Sequence, residues 1–286
     1  MTCPRLGLTF LPTMAPESLP ELAALAEDAG LDELWVWEDC FKHSAIASAA
    51  VALASTRRLR VGIGLMPAPL RNVALTAMEI ATLSRIYPDR LTAGIGHGVQ
   101  TWMGQVGSRV TSPLTLLREY AVALRALLAG EQVSVQGRYV QLDQVALDWV
   151  PSPAPSLMLG GAGDKSLALA GELGDGVMLS AALSVAEVAH AAEVSAVSTT
   201  GKPLVVSEIV AVGNDATERI RREVAIWRGR AQPDVGSAGG PADLADSLGR
   251  LVNAGASTVV IQPTEDEPDL AQLVRTITGD VRPLLT

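Results

Sequence analysis

The sequence predicts an α/β fold, a (β/α)8 TIM barrel, and three observations carry the prediction. Short β-branched runs alternate with helical patterns, which requires parallel strands joined by crossovers. The alternation repeats eight times. A chain of 286 residues with no Pro/Gly/Ser-rich linker suits one such barrel, so 1–286 is read as a single domain.

Each element has its own signal. RLGLTF (5–10) is an apolar run closed by Pro12 and Pro16, and 18–30 has helical spacing, with Ser18 as the expected N-cap and Gly30 as the stop. The unit recurs as ELWVW (33–37) with helix 44–55, RLRVGIGLM (58–66) with helix 72–86, and RLTAGIG (90–96) with helix 113–130. The second half continues with SLMLG (156–160) and helix 164–174, GVMLS (176–180) and helix 184–197, LVVSEIVAV (204–212) and helix 215–227. ASTVVIQP (256–263) and helix 268–285 complete the eight.

Three segments exceed the repeat and are read as insertions. Residues 97–112 follow strand four, 131–147 precede strand five with Gln136-Gly137 as a hairpin turn, and 228–255 precede strand eight with a Gly-rich loop and a further helix. Loops after barrel strands lie on the active-site face, so 97–112 borders the pocket.

Composition narrows the function. With 22 Lys and Arg against 31 Asp and Glu the formal charge is −9, and the basic residues are scattered, so no basic face for nucleic acid is expected. Two cysteines, Cys3 and Cys40, provide no disulfide framework, and His43, His97 and His190 are too few and too scattered for a metal site. No leader pattern opens the chain and no apolar run approaches the roughly 20 residues of a membrane span. The expectation is a cytoplasmic enzyme acting on a small molecule.

Glycine clusters at 62–64, 94–98 and 160–163 fail both nucleotide fingerprints: Pro67, Val99 and Ser166 stand where a dinucleotide loop requires glycine, and no Gly-Lys-Ser/Thr follows. Gly160, Gly161, Ala162, Gly163 and Lys165 nevertheless lie between a strand and the first turn of a helix. Free N–H groups there hold an anion such as a phosphate; a tight turn is the equal alternative. His97 directly follows strand four and points to the barrel mouth, whereas mid-helix His190 is ordinary and His43 is a weak rim candidate. Glu38 and Asp39 end strand two, and alternation turns one of them inward; an ion pair with Arg71 is the structural alternative. Trp102 and Met103 in the first insertion either cover an apolar substrate, anchor the loop, or meet a second subunit.

In this order the pieces WVWED, PAPLRNVALTAMEIATLSRIYPDRL (67–91), AGIGHG and LMLGGAGDKSLALAGELGDGVML (157–179) resemble the bacterial luciferase-like monooxygenase superfamily, most closely its branch dependent on the deazaflavin coenzyme F420. The resemblance implies a deazaflavin at the barrel mouth, backed by a bulge with a non-prolyl cis peptide after strand three, at Gly64 and Leu65. It implies that Asp39, His97 and Gly98, the loop from Gly160 to Lys165, and Ser180 contact the cofactor. Catalytic roles fall to His97, as proton donor or acceptor, and to Asp39, while Glu38, Trp102 and Met103 are expected at the substrate. The sugar-phosphate dehydrogenases of that branch carry a His and a Glu where this chain has Cys40 and Val99, so that chemistry is not expected.

The activity implied is hydride exchange between the deazaflavin ring and a small organic substrate. The alternative is an FMN-dependent monooxygenase that takes reduced flavin from a separate reductase and activates oxygen. A catalytically silent cofactor-binding barrel and a metal-dependent hydrolase rank below these. Family members commonly pair, so the resemblance also implies a homodimer.

Overall fold

Runs of Val, Ile and Leu between glycine- or proline-rich turns form the strands seen in a computed structural model of the chain, which describes residues 3–285. The barrel strands are β1 (Arg5–Thr9), β2 (Glu33–Val36), β3 (Arg60–Pro67), β4 (Leu91–Gly96), β5 (Ser156–Gly160), β6 (Gly176–Leu179), β7 (Leu204–Ala211) and β8 (Thr258–Pro263). Each pairs in parallel with its successor, and β8 pairs back to β1 with Leu6 beside Val259 and Leu8 beside Ile261. The closed (β/α)8 barrel expected from the sequence is therefore present, with no open edge in the ring.

The insertions fall where expected. Residues 100–105 form a short helix after β4, Val133–Gln136 and Gln141–Val145 form an antiparallel hairpin before β5, and Ser237–Ala238 pairs with β7 ahead of helix Pro241–Asn253. The hairpin bends at Arg138 and Tyr139 rather than at Gln136-Gly137. Three backbone N–H groups there, of Arg138, Tyr139 and Val140, donate to the Glu119 carboxylate, which sets the turn later than dipeptide chemistry alone suggests.

Other local expectations need correction. Gly30 ends helix Leu19–Asp28 at φ +81°, but Ser18 is itself helical and makes no cap bond to that helix; its hydroxyl donates to Ala15 O. A one-turn 3-10 segment, Pro16–Ser18, precedes the helix instead. The terminal helix expected over 268–285 is α-helical only over Leu270–Arg275, then passes through a π segment, Thr276–Val281, into a 3-10 turn, Arg282–Leu284. Among the described residues no helix is long and apolar enough to cross a membrane.

Aliphatic side chains dominate the layer between strands and helices, but the barrel interior is filled by Trp35, Met158, Met178, Val205 and Val260. Trp35 fits because its neighbours have no side chains: a Cβ on Gly62 would lie 2.3 Å from the indole ring, and one on Gly7 2.9 Å from it. The indole N–H donates to Glu33 at 2.8 Å, and Arg5 and Arg60 face the same carboxylate at 3.5 and 3.9 Å. Burial raises the Glu33 carboxyl above its usual range, opposed by Arg5, by the Trp35 hydrogen bond and by Arg60. This cluster closes the N-terminal end of the barrel.

Candidate active site

At the opposite end, where β4 and β5 stop in glycine, a cavity of about 370 Å³ opens among the strand ends. The size is that of a small-molecule or cofactor site. Its first wall is nearly free of side chains. Strand β3 slips register between Ile63 and Met66, where the Gly64–Leu65 peptide is cis, as the family resemblance implied. The Glu38 N–H donates to Leu65 O across the bulge. The Leu65 side chain occupies the space that Cβ atoms on Gly94, Gly96 and Gly160 would take, each 2.7–2.8 Å from a Leu65 methyl carbon. Three glycines on β4 and β5 thus absorb one leucine, and the backbone of Gly64, Gly96, Gly160 and Gly161 is left as a flat lining.

His97 follows this wall out of β4. Its Nε2 meets Ser166 Oγ at 2.8 Å, in the first turn of helix Asp164–Leu173, while its Nδ1 is buried with no hydrogen-bond partner among the described residues. Burial pushes its pKa below the ordinary value; the Pro113 backbone carbonyl acts weakly the other way, without reaching hydrogen-bond geometry. The imidazole is therefore neutral at pH 7 and tied to the glycine loop. Gly98, at φ +69°, turns the chain over Pro67 and buried Met103.

The glycine loop leads into the N-terminus of that helix. Gly163 occupies the cap position and its carbonyl accepts from Ser166 and Leu167 N–H, which leaves the Asp164 and Lys165 amides outside the helical ladder. Gly160, Gly161 and Ala162 line the cavity; Gly163 and Lys165 stand just outside it. Asp164 pairs with His190 on the surface at 3.0 Å.

Of the two acids ending β2, Glu38 is buried and spoken for. Its Oε1 takes Arg71 Nη1 at 2.7 Å and its Oε2 takes the Ala45 N–H at 2.9 Å, at the start of helix Ala45–Ser55. The ion-pair alternative for Glu38 is what the structure shows, so its carboxylate positions the β2 loop although the residue borders the cavity. Asp39 also lines the cavity and is half-exposed.

Trp102 reaches the cavity from the first insertion, whereas Met103 is fully buried beneath it and anchors the short helix. His43 stacks on buried Phe10 at 5.2 Å and does not line the cavity. Ser180, after β6, does.

Of the lining residues that escaped the sequence reading, four carry aromatic or polar side chains. Trp37 and Trp227 meet edge to face at 6.4 Å across the mouth, and Ser207 and Gln262 line it from β7 and β8. Trp227 is carried by helix Ala216–Arg228, which is fixed to the barrel by buried Arg219: its guanidinium donates to Asp215, Thr264, Glu267 and the Val212 carbonyl. Alternation of the WVW motif in β2 gives a signal for Trp37, since it shares the parity of inward-facing Trp35.

Residues 5–272 match the family model described as luciferase-like monooxygenase. Among curated proteins, the 5,10-methylenetetrahydromethanopterin reductase of Methanolobus tindarius is 30% identical over 175 residues, covering 61% of this chain and 53% of that one. The F420-dependent glucose-6-phosphate dehydrogenase of Beutenbergia cavernae is 31% identical over 175 residues, covering 57% and 52%. The chain thus aligns with about half the length of these relatives. In fold it superposes on an F420-dependent secondary alcohol dehydrogenase, solved with an F420–acetone adduct, with a TM-score of 0.87 at 20% identity over all of both chains.

Proposed function

The chain belongs to the luciferase-like monooxygenase family, and from that premise we propose that it is an oxidoreductase dependent on the deazaflavin coenzyme F420. The observation that carries the reading is the flat wall made by the Gly64–Leu65 bulge and the β4 and β5 glycines beside a free helix N-terminus. A planar ring requires such a surface, and a phosphate requires the unpaired amides next to it. The names of the curated relatives support the deazaflavin.

When bound, the deazaflavin supplies the hydride chemistry at C5 of its ring. The chain's own residues bind, orient and dry the site. Gly64, Leu65, Gly96, Gly98 and Gly160 offer the ring its backing, and Gly161, Ala162, Gly163 and Lys165 offer N–H groups or charge to the phosphate, with Ser180 alongside. His97, held by Ser166, fixes the loop in register with β4. A neutral imidazole accepts a proton more readily than it gives one, so His97 is the proton acceptor near the glycine wall, and Asp39 holds the polar edge of the cofactor. Trp37, Trp102 and Trp227 exclude water from the mouth.

The test is titration of the purified protein with oxidised F420 and, separately, with reduced FMN, followed by fluorescence quenching. Micromolar or tighter binding of F420, with FMN at least ten times weaker, is expected. Preference for reduced FMN moves the protein to the oxygenating arm of the family, fed by a separate reductase, and binding of neither overturns the reading.

A further inference from the structure

Facing the glycine wall across the barrel are β7 and β8, diametrically opposite β3 and β4 in the ring of eight. Their contribution to the cavity is polar. Gln262 is 1% exposed, lines the cavity, and its Nε2 has no hydrogen-bond partner among the described residues. Ser207 pairs in register with inward-facing Val260, one inward step below Gln262, and also lines the cavity. The register that pairs Leu8 with Ile261 brings Thr9 alongside, and its Oγ1 is likewise without a partner. A buried N–H without an acceptor is destabilising and persists where something else satisfies it.

The lining also constrains charge. Among the described residues no Lys or Arg lines the cavity; its ionisable groups are His97, Asp39 and Glu38, and Glu38 is neutralised by Arg71. An anionic substrate would find no counter-charge there, and the tryptophans at the mouth favour a neutral, largely apolar one.

We propose that Gln262, assisted by Ser207, is a substrate-recognition site that donates its amide N–H to the carbonyl oxygen of a neutral carbonyl compound held between the cofactor ring and strands β7 and β8. The proposal rests on the ring lying against the glycine wall. The terminal amide of glutamine rotates freely enough to turn its N–H toward such an acceptor. Specificity then comes from a donor that an oxygen-free analogue leaves unpaired.

The test measures binding of cyclohex-2-en-1-one and of cyclohexene, by saturation-transfer NMR titration, to wild type, Gln262→Leu and Gln262→Glu, each with and without oxidised F420. Coenzyme affinity and melting temperature are measured in parallel. Both variants are expected to weaken cyclohexenone about tenfold while leaving cyclohexene and coenzyme affinity unchanged. Equal cyclohexenone affinity in all three proteins overturns the proposal, and if melting temperature alone falls, Gln262 serves Thr9 instead. A parallel loss of coenzyme affinity also overturns it, because Gln262 would then hold the ring. Should wild type fail to bind F420, the functional reading falls separately, and the cyclohexenone contrast on the unloaded protein still decides for or against Gln262.

Discussion

At the N-terminal end of the barrel, Trp35 fills the space that Gly7 and Gly62 leave open, its N–H is bonded to Glu33, and Arg5 and Arg60 face that carboxylate. At the C-terminal end glycines back a bulge, Trp37 and Trp227 meet edge to face at the mouth, and among the described residues Gln262 Nε2 and His97 Nδ1 have no partner. Both ends use Gly against a large side chain. The lower cluster bonds its indole N–H to its carboxylate within the chain, with Arg60 Nε unbonded 3.9 Å from Glu33, and serves stability, while in the upper the unbonded atoms belong to Gln262 and His97, which line the cavity.

The largest expected effect separates the two ends by a tryptophan at each. Trp35→Ala removes the filling of the interior and the hydrogen bond to Glu33, and should cost about 3–5 kcal/mol in urea unfolding. Trp227→Ala, at a residue 41% exposed, should cost under about 1 kcal/mol and instead weaken substrate binding. Equal losses at both sites would erase the distinction.

Behind the mouth, Glu208 tests whether a satisfied buried acid is structural. It points away from the cavity, accepts from Ser237 Oγ at 2.7 Å, and burial pushes its pKa up to about 7, against the Ser237 hydrogen bond and the Arg250 charge. A raised carboxyl pKa means the folded state holds the proton more tightly. Its stabilising contribution is therefore present below the unfolded value of about 4.5 and is lost as pH rises through about 7. Glu208→Gln should remove that decline, gaining up to about 3 kcal/mol at pH 8 relative to wild type, with little difference at pH 4. Denaturant midpoints across that pH range measure it.

A smaller effect sharpens the upper end. His97→Ala and Ser166→Ala should each weaken coenzyme binding about tenfold, and the double variant should be no weaker than either, because one hydrogen bond serves both. For His97 the sign with pH is the opposite of Glu208: its folded pKa is depressed, so its contribution is complete above pH 6.5 and is lost as pH falls below that value. Additive losses in the cycle would show that the two residues act independently.

Much of this was legible in the residues. Eight strand and helix units, the three insertions, the Gly64–Leu65 bulge and the pairing of Glu38 with Arg71 all follow from local pattern or from family resemblance. What was not legible depends on parity or on distance along the chain. Ser207 and Gln262 sit inside runs that read simply as buried strand, and only the register of β7 and β8 shows which alternate residues face inward. Trp227 reaches the mouth from the end of a helix, 190 residues after Trp37. Met103 and Trp102 are neighbours of the same insertion, and the rotation of about 100° between consecutive helical residues decides that only Trp102 meets the cavity. The terminal helix breaks into π and 3-10 segments through a Gly279 and Pro283 that weaken continued α-helix.

On the proposed function, the glycine loop and mouth hold a phosphate-bearing deazaflavin while the fold below stands without it. Thermal unfolding of wild type and Ala162→Glu, with and without F420 at about 100 times its dissociation constant, tests it most directly. Ala162 is exposed at the cavity edge, so the added carboxylate should leave the unliganded protein within about 0.5 kcal/mol of wild type while repelling the phosphate. Ligand linkage predicts about 2.7 kcal/mol of added stability, or roughly 5 °C, for wild type and none for the variant. An equal rise in both proteins, or no rise in wild type, would contradict the account.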